Sequence, residues 1–147
     1  MIWCVEDDAS IRDIVLYALD SAGFESRGFE DGLTFWNALK SEKPDLILLD
    51  VMLPHFDGFE ICKEVRRYSD VPIMFITARC GQEDILNGYA LGCDDYIVKP
   101  FSLPVFYNKV LALIKRSKGL VRSSVLSAGN LSLNPNKGIV VSDGEEK

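Results

Sequence analysis

Residues 45–54 read DLILLDVMLP, and positions 46–49 are four consecutive apolar side chains. A continuous apolar run of this length predicts a strand covered on both faces, as in a parallel sheet flanked by helices. The run ends on Asp50. A carboxylate beside a buried strand is costly unless something pairs with it. The stretch raises two questions: what covers the strand, and what offsets the charge.

The flanking sequence answers the first. MIWCV (1–5) predicts a strand ending at Glu6-Asp7-Asp8. SIRDIVLYALDSAG predicts a helix with Ile11, Ile14, Val15 and Ala18 on one face. Ser10 with Asp13 resembles a capping box, and Gly23 supplies a stop. FESRGF (24–29) is a weaker strand. LTFWNALKS (33–41) is a second helix, with Leu33, Trp36 and Leu39 near one face and Phe35–Trp36 as core packing. After the central strand, Asp57 and Glu60 predict a capping box for a third helix that buries Phe59, Ile61, Cys62 and Val65. VPIMFITA (71–78) is the fourth strand. QEDILNGYALG (82–92) is a helix loosened by Gly88, DYIVK (95–99) is the fifth strand, and residues 103–117 form the fifth helix. Five βα units in succession imply an α/β fold: a doubly wound parallel sheet with helices on both faces and right-handed crossovers.

Composition sets the outer limits. Hydrophobic residues make up 48% and the formal net charge is −6. The chain therefore has enough apolar surface for one core, and it lacks the basic footprint of a whole-chain nucleic-acid binder. Four cysteines form no C-x-x-C pair and lie far from the single His55, which argues against zinc. No apolar run is long enough to span a bilayer, and no signal peptide is recognisable. We therefore expect a cytoplasmic protein with reduced thiols. After Ser117 the composition turns small and polar. We expect a domain over 1–118, a linker over 119–128, and short strands over 129–147 that begin a further domain.

In a doubly wound sheet, ligands bind at the carboxyl ends of the strands. The first strand ends at Glu6, Asp7 and Asp8, the third at Asp50, the fourth at Thr77 and the fifth at Lys99. Taken singly, each is explained by a turn or a helix cap. Jointly, they assemble carboxylates, a hydroxyl and an ammonium at one edge. Clustered carboxylates suit a hard divalent cation, which prefers oxygen ligands and accompanies phosphoryl transfer. An aspartate beside that cation can attack phosphorus, the Lys99 ammonium can bind a phosphoryl oxygen, and the Thr77 hydroxyl can donate to another.

VEDD (5–8), LLDVMLPHFDG (48–58), PIMFITA (72–78) and GCDDYIVKPF (92–101) together resemble the receiver domains of two-component response regulators, above all the OmpR/PhoB class of transcriptional regulators. The resemblance implies a flavodoxin-like, CheY-like sheet of order 2-1-3-4-5. It implies that Asp50 accepts a phosphoryl group from a sensor histidine kinase. Magnesium or manganese would be held by Asp7, Asp50 and the Met52 carbonyl, with Glu6 acting through water. Thr77 and Tyr96 match the switch pair, Lys99 matches the family's lysine, and Lys99–Pro100 matches a peptide that is typically cis. Met52 and Arg79 occupy positions that tune phosphoryl lifetime in the family. The family member is a switch that catalyses its own phosphorylation and dephosphorylation, not an enzyme in the usual sense. Residues 129–147 resemble the first strands of a winged-helix DNA-binding domain whose recognition helix is absent from this sequence.

In the family, phosphorylation reshapes the face made by the fourth helix, fifth strand and fifth helix, and that face dimerises. Here Ile85 and Val105 stand where the class pairs a lysine with a glutamate. Ala90 and Leu111 stand where it pairs an acid with a base, while Asp95 and Lys109 keep a third pair. The face admits two readings: a more hydrophobic dimer surface, or drifted surface positions. Two other functions compete with the receiver. An aspartyl-phosphate hydrolase needs a second aspartate where Met52 stands. A phosphorylation-independent interaction module has no need of the intact set Glu6, Asp7, Asp50, Thr77 and Lys99. A nucleotide site lacks its glycine-rich turn.

Overall fold

The computed structural model describes residues 1–126 in backbone and 1–117 in side-chain detail. Met1–Ile114 forms one compact unit. Its elements are β1 (Ile2–Val5), α1 (Ala9–Ser21), β2 (Ser26–Phe29), α2 (Gly32–Leu39), β3 (Leu46–Leu49), α3 (Gly58–Val65), β4 (Ile73–Thr77), α4 (Gln82–Ala90) and β5 (Asp95–Val98), followed by α5 (Leu103–Leu126). The five strands are parallel in the order β2-β1-β3-β4-β5, as the alternating pattern and the resemblance imply.

Strand periodicity divides the core into two layers. Trp3, Val5, Ile47, Leu49, Ile73 and Phe75 face a layer containing Phe35 of α2 and Phe59, Cys62 and Val65 of α3. Ile2, Cys4, Leu46, Leu48, Met74 and Ile76 face Val15 and Leu19 of α1 and Phe106, Val110 and Leu113 of α5. All four β3 side chains have no solvent exposure. Burying each is worth about 1.5–3 kcal/mol, so β3 is a rigid support for Asp50 at its end.

Helix faces differ from the periodicity reading in two places. In α1 the buried residues are Val15, Ala18 and Leu19, while Ile14 is exposed. In α2 they are Gly32, Phe35 and Ala38, while Leu33 is exposed and Trp36 and Leu39 are only half-covered. An amphipathic pattern defines a stripe, but the sheet decides which edge of it is covered. The capping box expected at Ser10 and Asp13 is also not the start of α1. Asp8 is the N-cap, accepting from the backbone N–H groups of Ser10 and Ile11. The box at Asp57 and Glu60 is present in both directions, at 2.8 and 3.0 Å.

Helix α5 continues to Leu126, beyond the expected end at Ser117 and into the stretch read as linker. Its one glycine there costs about 1 kcal/mol, and extending a nucleated helix is easy. The strands expected over 129–147, and the last two linker residues, lie outside the described residues.

Candidate functional site

Asp50 comes directly after β3 and is itself buried. Its backbone N–H donates to the Val5 carbonyl at 3.1 Å, continuing the β1–β3 ladder by one rung. The Met52 N–H donates to Asp50 Oδ1 at 3.1 Å, which fixes the carboxylate plane. The chain then folds back so closely that a Cβ on Gly58 would lie 2.2 Å from the Asp50 carbonyl oxygen. Only glycine fits there. His55, between them, has a φ of 71°, a left-handed conformation uncommon for a residue with a side chain.

Lys99 completes the charge set. Its Nζ lies 2.6 Å from Glu6 Oε1 and 3.0 Å from Asp50 Oδ2. Lys99 lies just past β5 and precedes Pro100, and the peptide between them is cis, as the resemblance implies. Burial acts to lower the Lys99 pKa, but hydrogen bonds to Glu6 and Asp50 outweigh it and the net shift is upward. Burial raises the Glu6 carboxyl to about 7, against the opposing pull of Lys99 and the Asp8 N–H and with a further push from Asp50. A positive charge beside these oxygens would restore the ionised form.

The three acids of the first strand have different surroundings. Asp8 is committed to capping α1, and Glu6 is buried against Lys99. Asp7 is exposed, and its carboxylate forms the third member of a set with Glu6 and Asp50 whose oxygens lie within 4.8 Å of one another. This all-oxygen donor set fits a hard divalent cation such as Mg²⁺ and offers nothing to a soft one.

Thr77 ends β4 fully buried, and its Oγ1 accepts the Arg79 N–H at 3.2 Å. Tyr96 lies in β5 with its ring covered, and its hydroxyl donates to the Arg79 carbonyl at 2.7 Å. Gly88, read from sequence as a loosening of α4, is instead the buried contact of that helix: a Cβ there would meet the Tyr96 ring at 3.1 Å. Burial, then the nearby Asp84 charge, raise the Tyr96 phenol to about 12.

Two contacts beside the site had no sequence signal. Arg12 Nη1 donates to the Glu6 carbonyl at 2.7 Å, and Asp84 Oδ1 accepts from Arg79 Nε and Nη2 at 3.2 and 2.8 Å. Both pairs bridge a turn, where helical spacing rules do not apply. Val105, Leu111 and Ala90 are exposed, and Ile85 packs partly into the core. Asp95 and Lys109 pair within the chain at 3.0 Å.

An acid set, a hydroxyl and a lysine thus lie at the carboxyl edge of a 2-1-3-4-5 parallel sheet. The chain belongs to the response regulator receiver domain family, whose model matches residues 2–111. It is 35% identical to the probable transcriptional regulator ycf27 of Porphyridium aerugineum, over 98% of this chain and 62% of the relative. It is 39% identical to the phosphate regulon transcriptional regulatory protein PhoB of Shigella flexneri, over 99% of this chain and 64% of the relative. The chain thus spans less than two thirds of these relatives, which are of the OmpR/PhoB class that the motifs resemble. A two-component response regulator from Clostridium difficile superposes with a TM-score of 0.75 at 30% identity, covering 78% of this chain and 95% of that one.

Proposed function

We propose that this chain is the phospho-accepting receiver of a two-component transcription factor and that Asp50 is the acceptor. The observation that carries this reading is Lys99 bridging Glu6 and Asp50 beside Asp7. The donor is a phosphohistidine on a sensor kinase. An Asp50 oxygen attacks phosphorus, the new O–P bond forms as the N–P bond breaks, and the imidazole leaves with that electron pair. Lys99 turns from a carboxylate to a phosphoryl oxygen, and the Thr77 hydroxyl donates to another. A divalent cation, Mg²⁺ or Mn²⁺, held by Asp7, Asp50 and the Met52 carbonyl with Glu6 through water, would neutralise charge on the transferring group. Met52 presents no acid to the product, so the chain acts as a switch and not as a turnover hydrolase.

The phosphoryl group adds close to two negative charges and several acceptor oxygens. Thr77 moves toward them, Tyr96 moves with it, and the face of α4, β5 and α5 shifts toward a form that homodimerises. DNA binding then belongs to the C-terminal domain of the full-length protein. No helix among the described residues is long and apolar enough to cross a membrane.

The test is incubation with magnesium and acetyl phosphate, and then intact mass. Wild type gains one phosphoryl group and Asp50→Asn gains none. Equal labelling of both overturns the assignment.

A further inference from the structure

Thr77 and Tyr96 do not touch through each other's hydroxyls; both bind Arg79. The Arg79 N–H donates to Thr77 Oγ1 at 3.2 Å and its carbonyl accepts from the Tyr96 hydroxyl at 2.7 Å. The two backbone groups flank one Cα, so a displacement of Thr77 reaches Tyr96 through rotation about that atom. The cost of that rotation depends on how the Arg79 side chain is anchored. Its guanidinium takes Asp84 Oδ1 with two nitrogens, at 3.2 and 2.8 Å, and lies over the Phe59 ring at 5.7 Å from the centroid. Asp84 sits in the first turn of α4, where the N-cap Gly81 provides no side-chain hydrogen bond. It is therefore held by the helix end as well as by Arg79. Phe59 packs on Phe75 and Phe75 on Tyr96, at 5.3 and 5.7 Å between centroids.

We infer that Asp84 is a positioning residue: by clamping the Arg79 guanidinium to α4 it sets the backbone link between Thr77 and Tyr96. The inference rests on the phospho-acceptor reading above and specifies how the signal leaves the site. Asp84 touches no reacting atom, so its loss leaves phosphorylation in place and uncouples the Tyr96 response from it. The pair is partly exposed, 42% and 25% by side chain, so its contribution is modest. Its removal shifts the Tyr96 equilibrium by about two- to fivefold.

The experiment uses the whole 147-residue chain carrying ¹³Cζ-tyrosine, with the Tyr96 signal assigned by Tyr96→Phe. Beryllofluoride with magnesium serves as the phosphoryl probe. In wild type the probe changes the Tyr96 signal. In Asp84→Ala, acetyl phosphate still labels Asp50 at close to the wild-type rate, but the Tyr96 response to beryllofluoride falls by about two- to fivefold. Asp84→Glu restores it, because the carboxylate charge is kept. An unchanged Tyr96 response in Asp84→Ala overturns the inference. So does an Asp84→Glu chain as defective as Asp84→Ala, which marks a merely structural role. A wild-type chain that takes neither probe removes the phospho-acceptor reading itself, and this is seen before any substitution is made.

Discussion

Lys99 Nζ lies 2.6 Å from Glu6 Oε1 although 93 positions separate the two in sequence. The same ammonium reaches Asp50 at 3.0 Å. One cation therefore holds two buried carboxylates at the strand edge, and its loss leaves both without that partner. With EDTA present, Lys99→Met loses about 1.5–3 kcal/mol of folding stability by urea titration. It also loses acetyl-phosphate labelling of Asp50. Wild-type stability in Lys99→Met would show that the pair contributes nothing to the fold.

Asp7 and Asp8 are adjacent acids with separable roles. Magnesium at about one hundred times its dissociation constant stabilises the folded chain by about 2.7 kcal/mol. Asp7→Ala keeps its metal-free stability and loses this gain. Asp8→Ala loses about 1 kcal/mol with or without metal, as an N-cap does, and still gains from magnesium. Thermal melts of the two variants with and without magnesium decide the assignment, and an exchange of the two behaviours reverses it.

Gly58 opens α3, where alanine would ordinarily be welcome. Here its Cβ would sit 2.2 Å from the Asp50 carbonyl. The Gly58 N–H also donates to Val51 at 2.7 Å, so the backbone has no easy way to retreat. Gly58→Ala costs about 3 kcal/mol or more and slows Asp50 labelling. A stable, fully active Gly58→Ala chain would refute this close approach.

Burial pushes the Cys4 and Cys93 thiols up to about 12 and the Cys62 thiol to about 11, from an ordinary 9.0. Cys80 is exposed. At pH 8, iodoacetamide should modify one thiol in the folded chain, Cys80, and all four in denaturant, as counted by mass. Because the folded thiols keep their protons while unfolded ones ionise near 9, their contribution is intact below pH 9. It declines as pH rises toward 11 to 12. Urea midpoints at pH 8 and pH 10 should differ in that direction. Rapid labelling of a second thiol at pH 8 contradicts the burial.

In α5 the apolar side chains of Val105 and Leu111 are exposed, and Lys109 is paired with Asp95 of its own chain. Dimerisation of the beryllofluoride-bound chain should therefore depend only weakly on salt, since screening acts on exposed ion pairs. Sedimentation equilibrium across a salt series measures this. A steep loss of affinity with salt, or a dimer through another face, defeats the apolar-interface reading.

The alternation of LILL, IMFIT and DYIV with amphipathic segments already determined the layered parallel sheet. The sheet in turn determined that Glu6, Asp7, Asp50, Thr77 and Lys99 share an edge, because every strand of a parallel sheet ends on the same side. Those conclusions need only local periodicity and one topological rule. The covered face of each helix was not legible: Ile14 and Leu33 belong to apolar stripes yet face solvent, because the docking angle on the sheet selects the edge of the stripe. Spacing did not separate Asp7 from Asp8, and only the resemblance favoured Asp7; that Asp8 is taken up as a cap awaited the residue at which α1 begins, since capping is a property of the helix end and not of the aspartate. Tertiary structure alone brought Lys99 to Glu6, folded Gly58 against Asp50, and set Asp84 on Arg79. These contacts join segments across turns and between strands, where the spacing along the chain carries no information about distance in space.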